Sequence, residues 1–226
     1  MTTAGTTRRG RPLIHRFDRA ERALHWLLAL DIVVLTLSGL GLYLGPGTNP
    51  VLDRRETVRT VHIDAAVLLL VLPVVIAALR PGLLRGLWRD VEWFDADDRR
   101  WLLRVAIPAR LRRRPLPAQG RFNAGQKLNT IITAAALVGF TVTGALMDIG
   151  GSLPASLSEA ADDTHLWLMW LGAPLVLGHV LLAVAVPSTR PAMRAIVTGR
   201  IRLDVARRRH ARWVEETGGQ PPRAGG

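Results

Sequence analysis

Residues 165–187 read HLWLMWLGAPLVLGHVLLAVAVP, a run without a single Asp, Glu, Lys or Arg that starts on His165 and carries His179. A helix needs about 20 such residues to cross roughly 30 Å of hydrocarbon, and helices of soluble cores seldom run that far without a polar face. Three earlier stretches have the same character, at residues 23–44, 61–79 and 126–147. Four spans of this length predict an all-α integral membrane four-helix bundle.

Charge orients the bundle. The chain carries a net charge of +12, and its arginines are unevenly placed: six precede the first span, eleven lie between the second and third, and nine follow the fourth. The connection at residues 45–60 has three Arg against two acids, and residues 148–164 have four acids and no Lys or Arg. By the positive-inside rule both termini and the middle loop are expected in the cytoplasm, N-in and C-in, at the cell inner or plasma membrane. That bias accounts for the basic charge without nucleic acid. The expected organisation is a basic leader (1–22), a four-helix membrane domain (23–188) with a cytoplasmic loop (80–125), and a cytoplasmic tail (189–226).

Cysteine is absent, which removes disulfides, thiolate iron–sulfur ligation and covalent c-type haem attachment within the chain. Arg8 and Arg9 are not followed by a short apolar segment with a small-residue cleavage site, so the first span reads as a retained anchor.

Local signals fill in the connections. Asp18 and Glu21 stand where they can cap the first helix. Tyr43 marks its outer end, and Gly45, Pro46, Gly47, Asn49 and Pro50 form a turn-rich break. The second span ends at Arg80, Pro81 and Gly82. In the middle loop, Trp88, Trp93 and Trp101 among charged residues predict a short helix lying along the inner membrane face, with a solvated charged loop as the alternative. Arg112, Arg113 and Arg114 with Pro115 and Pro117 read as an irregular linker. Trp167 and Trp170 fall at the outer start of the fourth span, and no internal repeat is evident.

Ligand-type residues inside a membrane are costly, so they tend to face the bundle interior and to have a task. His25, His62, His165 and His179 are four such residues. His165 and His179, fourteen apart on one helix, are separated by about 21 Å of rise and only about 40° of rotation. With alternating helix directions, His25 and His179 share the inner level and His62 and His165 the outer level. Two histidine pairs at two depths are what two stacked haems with imidazole ligands on both faces require. Zinc is a poor competitor: two His per level, without Cys and with only Asp64 near, do not make a tetrahedral cage. Hydrogen bonding between helices is the non-metal reading. His15 and His210, in the basic flanks, are expected to be solvent-exposed. Gly39 and Gly139, fourteen residues after His25 and Gly125, could leave room for a macrocycle or simply let helices pack. Asp31, about 9 Å deeper than His25, is expected to pair with Lys127 or another inner cation, with a proton path as the alternative.

Those residues bring a family into view. RFDRAERALHW from Arg16, GRFNAGQKLN from Gly120, the His165 and His179 pair, and PSTRPAMRAIVTGRI from Pro187 resemble the cytochrome b (gamma) subunit of membrane-bound formate dehydrogenases, which is related to the di-haem cytochrome b subunits of Ni-hydrogenases. The match runs in order over almost the whole chain, and RFNAGQK is its most specific part. The resemblance implies two b haems held by His25, His62, His165 and His179. It implies electrons arriving from an iron–sulfur (beta) subunit that serves a catalytic alpha subunit, and menaquinone reduced beside the inner haem. Carried over by position, the quinone site involves Asn123, Gly125, Gln126 and Lys127. Asn123 also reads as a helix N-cap. The tail departs from the family pattern at RRRHARW, which leaves a partner-contact role for His210 in doubt. Alternatives are a hydrogenase or other respiratory cytochrome b, a stand-alone quinone-linked cytochrome, and a non-redox scaffold or transporter subunit.

Overall fold

The computed structural model describes residues 12–44, 54–91, 93–111 and 113–218. Arg8, Arg9, the turn residues Gly45, Pro46, Gly47, Asn49 and Pro50, and Arg112 lie outside the described residues. In chain order the elements are β1 (Leu13–His15), α1 (Arg19–Leu44), α2 (Arg55–Leu79), α3 (Gly82–Val91), α4 (Ala96–Val105), α5 (Ala124–Asp148), α6 (Ala155–Ala185), α7 (Arg190–Thr198), β2 (Arg200–Arg202), α8 (Leu203–Arg209) and α9 (Ala211–Thr217).

Helices α1, α2, α5 and α6 are long and apolar enough to cross a membrane. Each starts before its apolar run, because helix-forming polar residues continue the same backbone beyond the hydrocarbon. The clearest case is α6, which opens at Ala155 with ASLSEAADDT ahead of His165. Leu30, Leu37, Val74, Leu79, Leu171 and Leu177 are all exposed, as side chains facing acyl tails must be. The four helices form two hairpins, α1 against α2 and α5 against α6, which meet more sparsely through α1 and α6.

The densest packing lies at one end of the bundle, which we call the capped end. Phe17, Ala195, Ile201, Val205, Ala206 and Trp213 form a buried core there, with Ile14, Phe122, Ile196 and Val214 against it. Strands β1 and β2 pair antiparallel with Ile14 opposite Ile201, so the segment before the first span is stitched to the segment after the last. Glycine is required at the junction. Gly199 has φ 79°, ends α7, and would place a Cβ 2.7 Å from the Phe17 carbonyl oxygen; its own carbonyl accepts from the Arg16 and Phe17 amides.

This small sheet departs from the expected organisation: residues 12–22 and 189–218 form one folded cap. Two three-residue strands leave too short an alternation to detect, and their partners are far apart in the chain. The middle loop contains two helices, α3 and α4, where one was expected. Trp88 is 63% exposed on amphipathic α3, as an interfacial tryptophan would be, whereas Trp101 turns inward onto Gly125.

Candidate functional site

The histidines sort into two tiers. At the far end, His62 on α2 and His165 on α6 reach across the seam between the hairpins, with ring centroids 6.3 Å apart and planes inclined by 71°. Two metal–imidazole bonds of about 2 Å each, plus the distance from nitrogen to ring centre taken twice, fill that span. One iron between the rings is therefore sterically reasonable. Each ring is also hydrogen-bonded from behind. Ser38 Oγ lies 2.8 Å from His62 Nδ1, and Thr143 Oγ1 lies 2.8 Å from His165 Nδ1. Phe140 stands edge-on to His165 at 5.2 Å, closing one flank.

Towards the capped end, His25 on α1 and His179 on α6 lie within electrostatic range of each other. His25 meets Trp26 edge-on at 5.4 Å, and the Trp26 indole N–H donates to Ile196 O at 3.4 Å, tying α1 to α7. Both pairs thus cross the same sparsely packed seam. Among the described residues no three His, Cys, Asp or Glu side chains converge on one point. Pairs of imidazoles suit an ion whose remaining ligands come from a macrocycle.

Glycines border these rings in a way the fourteen-residue spacing did not foresee. A Cβ on Gly39 would come within 3.2 Å of His62 Cε1, and one on Gly144 within 3.5 Å of His165 Cε1. Gly39 therefore seats the far-end imidazole of His62. A Cβ on Gly139 would come within 3.0 Å of Leu168 Cδ1, so this glycine serves helix packing.

The capped end carries a buried polar network that fixes the start of α5. Asn123 and Gln126 form a reciprocal capping box: Asn123 Oδ1 accepts from the Gln126 amide at 2.9 Å and Gln126 Oε1 accepts from the Asn123 amide at 3.1 Å. Gln126 Oε1 also accepts from Arg16 Nη2 at 3.1 Å. Both side-chain oxygens are committed, while neither side-chain NH₂ has a hydrogen-bond partner among the described residues. Gly125 lies 3.2 Å, by a notional Cβ, from the Trp101 ring, so the space it leaves is filled by that indole. Lys127 Nζ donates to Asp98 Oδ2 and to Trp93 O, both at 2.8 Å. Of the four residues assigned to a quinone, Asn123 and Gln126 keep donors to offer and Gly125 and Lys127 are absorbed by the cap.

That geometry corrects the expectation for Asp31. Lys127 pairs with Asp98, and Asp31 Oδ2 is buried with no hydrogen-bond partner. His210 is also corrected, being only 3% exposed. Its Nδ1–H donates to Gly120 O at 2.8 Å, and burial followed by the nearby Arg16 charge pushes its pKa down to about 3. His15 is exposed, as expected.

The cap roles of Arg16, Asp90 and Arg121 went unnoticed in the sequence. Arg121 pairs with Glu21 and Asp90, each at 2.6 Å, and stacks over Phe17 and Phe122. Burial lifts the Asp90 carboxyl above its usual range against the pull of Arg121. Arg16, wholly buried, donates to Arg121 O at 2.7 Å; burial and then Arg121 push its guanidinium down to about 9. Asp18 and Glu21 cap α1 as expected, and do so reciprocally, each side chain accepting from the other's amide at 2.8 Å. Ser38 and Thr143 were missed too. Their signal was a hydroxyl residue directly before a glycine inside an apolar helix, once in each hairpin.

The sequence profile of the prokaryotic cytochrome b561 family matches residues 16–199. The match contains both histidine tiers and the start of α5. No curated protein matches the chain.

Proposed function

This chain belongs to the prokaryotic cytochrome b561 family, and from that premise we propose that it is the di-haem subunit of a membrane-bound formate dehydrogenase, carrying electrons from an iron–sulfur partner to menaquinone. Membership makes it a multi-pass membrane cytochrome that binds haem b and works in electron transfer. We assign His62 and His165 to one haem and His25 and His179 to the other. The observation that carries this reading is the 6.3 Å separation of the His62 and His165 rings, which would let both imidazoles bind one iron between them. Haem iron, when bound, supplies reversible one-electron transfer.

The chain's own residues have separate tasks. The lipid-facing aliphatic walls of α1, α2, α5 and α6 exclude water from both tiers. At the capped end, assigned to the cytoplasm by the arginine bias, Asn123 and Gln126 present side-chain N–H donors suited to a quinone carbonyl. Arg16 holds Gln126 in place through its oxygen. Asp98 and Trp93 hold Lys127, so protons for the quinone come from cytoplasmic water at the cap surface. The opposite end takes the iron–sulfur partner.

Formate as the source rests on the resemblance of GRFNAGQKLN and PSTRPAMRAIVTGRI. The test is to supply formate, and separately hydrogen, to anaerobic membranes containing the chain with its co-purified partners, and to follow the haem absorption bands. Formate-dependent reduction and a pyridine haemochrome count of two haems per chain are expected. Reduction by hydrogen alone moves the chain to a hydrogenase complex, and a colourless protein removes the redox reading altogether.

A further inference from the structure

We propose that Ser38 and Thr143 are positioning residues that hold His62 and His165 with the ring proton on Nδ1, turning each Nε2 lone pair to the far-end haem and making that haem the lower in potential of the two. The inference rests on the di-haem reading above and assigns a role to side chains outside the ligand set.

Counting protons fixes the tautomer of both rings. A hydroxyl has one hydrogen to donate and lone pairs with which to accept. Ser38 Oγ lies 2.7 Å from Val34 O as well as 2.8 Å from His62 Nδ1. A carbonyl oxygen can only accept, so at that distance the serine hydrogen must point at Val34; otherwise two lone pairs would face each other. The remaining contact then requires Nδ1–H to donate to Oγ. Thr143 repeats the logic, with Gly139 O at 2.8 Å and His165 Nδ1 at 2.8 Å. Both far-end imidazoles are thereby fixed in one tautomer, with Nε2 bare and available to a metal.

The arrangement is built twice, once in each hairpin. In α1 the hydroxyl residue is followed by Gly39 and in α5 by Gly144. Gly39 lets its ring approach the helix more closely than a side chain would allow, at 3.2 Å from a notional Cβ, whereas the 3.5 Å at Gly144 is ordinary contact. In α1 the clamp is thus a dipeptide: Ser38 supplies the acceptor and Gly39 the space.

The other tier lacks it. Among the described residues neither His25 nor His179 has a side-chain hydrogen bond. An Nδ1–H that donates to an oxygen makes the imidazole a stronger electron donor through Nε2, which favours the oxidised metal and lowers its potential. Two clamped ligands at the far end and none near the cap order the potentials so that electrons run downhill from far end to capped end, the direction that quinone reduction at the cap requires.

The experiment uses the intact complex in detergent. Ser38→Ala, Thr143→Val and the conservative pair Ser38→Thr and Thr143→Ser would be titrated spectroelectrochemically, with the haem count and the low-spin ferric electron paramagnetic resonance recorded for each. His62→Ala identifies the far-end wave as the one it abolishes. The far-end wave is expected to be the lower in the unmodified protein, to shift upward in Ser38→Ala and Thr143→Val, and to hold its place in the conservative variants, while the capped-end wave stays put. If Thr143→Val loses the far-end haem and Thr143→Ser keeps it, the clamp is equally supported. Unshifted waves with both haems present overturn the proposal, as does a far-end wave that is the higher of the two or identical behaviour of Thr143→Val and Thr143→Ser. An unmodified protein without haem is a different result, since it sinks the di-haem reading itself.

Discussion

Replacing Lys127 with Met separates a structural lysine from a quinone-binding one. The Lys127 and Asp98 side chains are 7% and 0% exposed and joined at 2.8 Å. Removing the cation strands a carboxylate that has nowhere to find water, and breaking a buried pair in this way costs about 3–5 kcal/mol. Asp98 Oδ2 also accepts from the Asp95 amide at the head of α4, so the loss falls on the docking of α4 against α5. At about 1.4 kcal/mol per factor of ten, amides of α4 and of the α5 start should exchange with solvent roughly two to four orders of magnitude faster. Hydrogen–deuterium exchange with mass spectrometry on protein in lipid nanodiscs reads this directly. Adding Asp98→Asn neutralises the stranded charge and keeps an acceptor for the Asp95 amide, so the double variant should recover most of the protection. Protection in Lys127→Met within about threefold of the unmodified protein would refute the reasoning, as would lost quinone reduction with α4 protection intact, which would return Lys127 to the quinone.

His210 makes the cap sensitive to acid. Its folded pKa of about 3 lies below the ordinary histidine value of 6.5, so the unfolded chain binds the extra proton; the stability this holds is complete above pH 6.5 and is lost as pH falls towards 3. By pH 5.5 the loss is about 1.4 kcal/mol, to be read as faster proteolysis of the tail, and His210→Asn should flatten that slope. Gly39→Ala, with its Cβ 3.2 Å from His62, should displace the ring and deplete the far-end haem, while Gly144→Ala, at 3.5 Å from His165, should leave the absorption spectrum intact; equal behaviour of the two would remove the seating role. Because the chain has no cysteine, single Ser156→Cys and Arg208→Cys substitutions report topology. An impermeant maleimide applied to intact cells should label the first and spare the second, and the reverse pattern would invert the bundle.

How much was legible in the sequence depended on whether the deciding physics was local. Four spans could be read because hydrocarbon thickness sets their length whatever the neighbours do. The pairing of His62 with His165 could be read because helix rise and alternating direction fix depth. The cap was opaque for the opposite reason. Arg16 and Arg121 looked like two of many cytoplasmic arginines, yet Arg16 donates to a carbonyl and Arg121 meets Glu21 and Asp90 from distant parts of the chain. His210 sat in RRRHARW, where composition argues for solvent, and tertiary packing against Gly120 overrode it. Asp31 was assigned a partner by charge alone, but Lys127 had a nearer acid in Asp98.

The contrast between a tightly packed cap and a sparsely packed seam follows from what each must do. Inside the bilayer there is no hydrophobic drive to press one apolar helix on another, so the hairpins are free to stand apart where histidines cross between them. Something else must then hold the hairpins in register, and the capped end does so with Arg121 bridging α1 to α3, Lys127 joining α5 to α4, and β1 paired to β2. At the far end the comparable tie is the exposed Arg59 to Asp148 bridge at 2.7 Å between α2 and α5, which is worth little in water. A bundle locked at one end and lightly tied at the other tolerates least disturbance beside Asn123 and Gln126. Substitutions in the cap should therefore perturb the His25 and His179 tier before they reach His62 and His165.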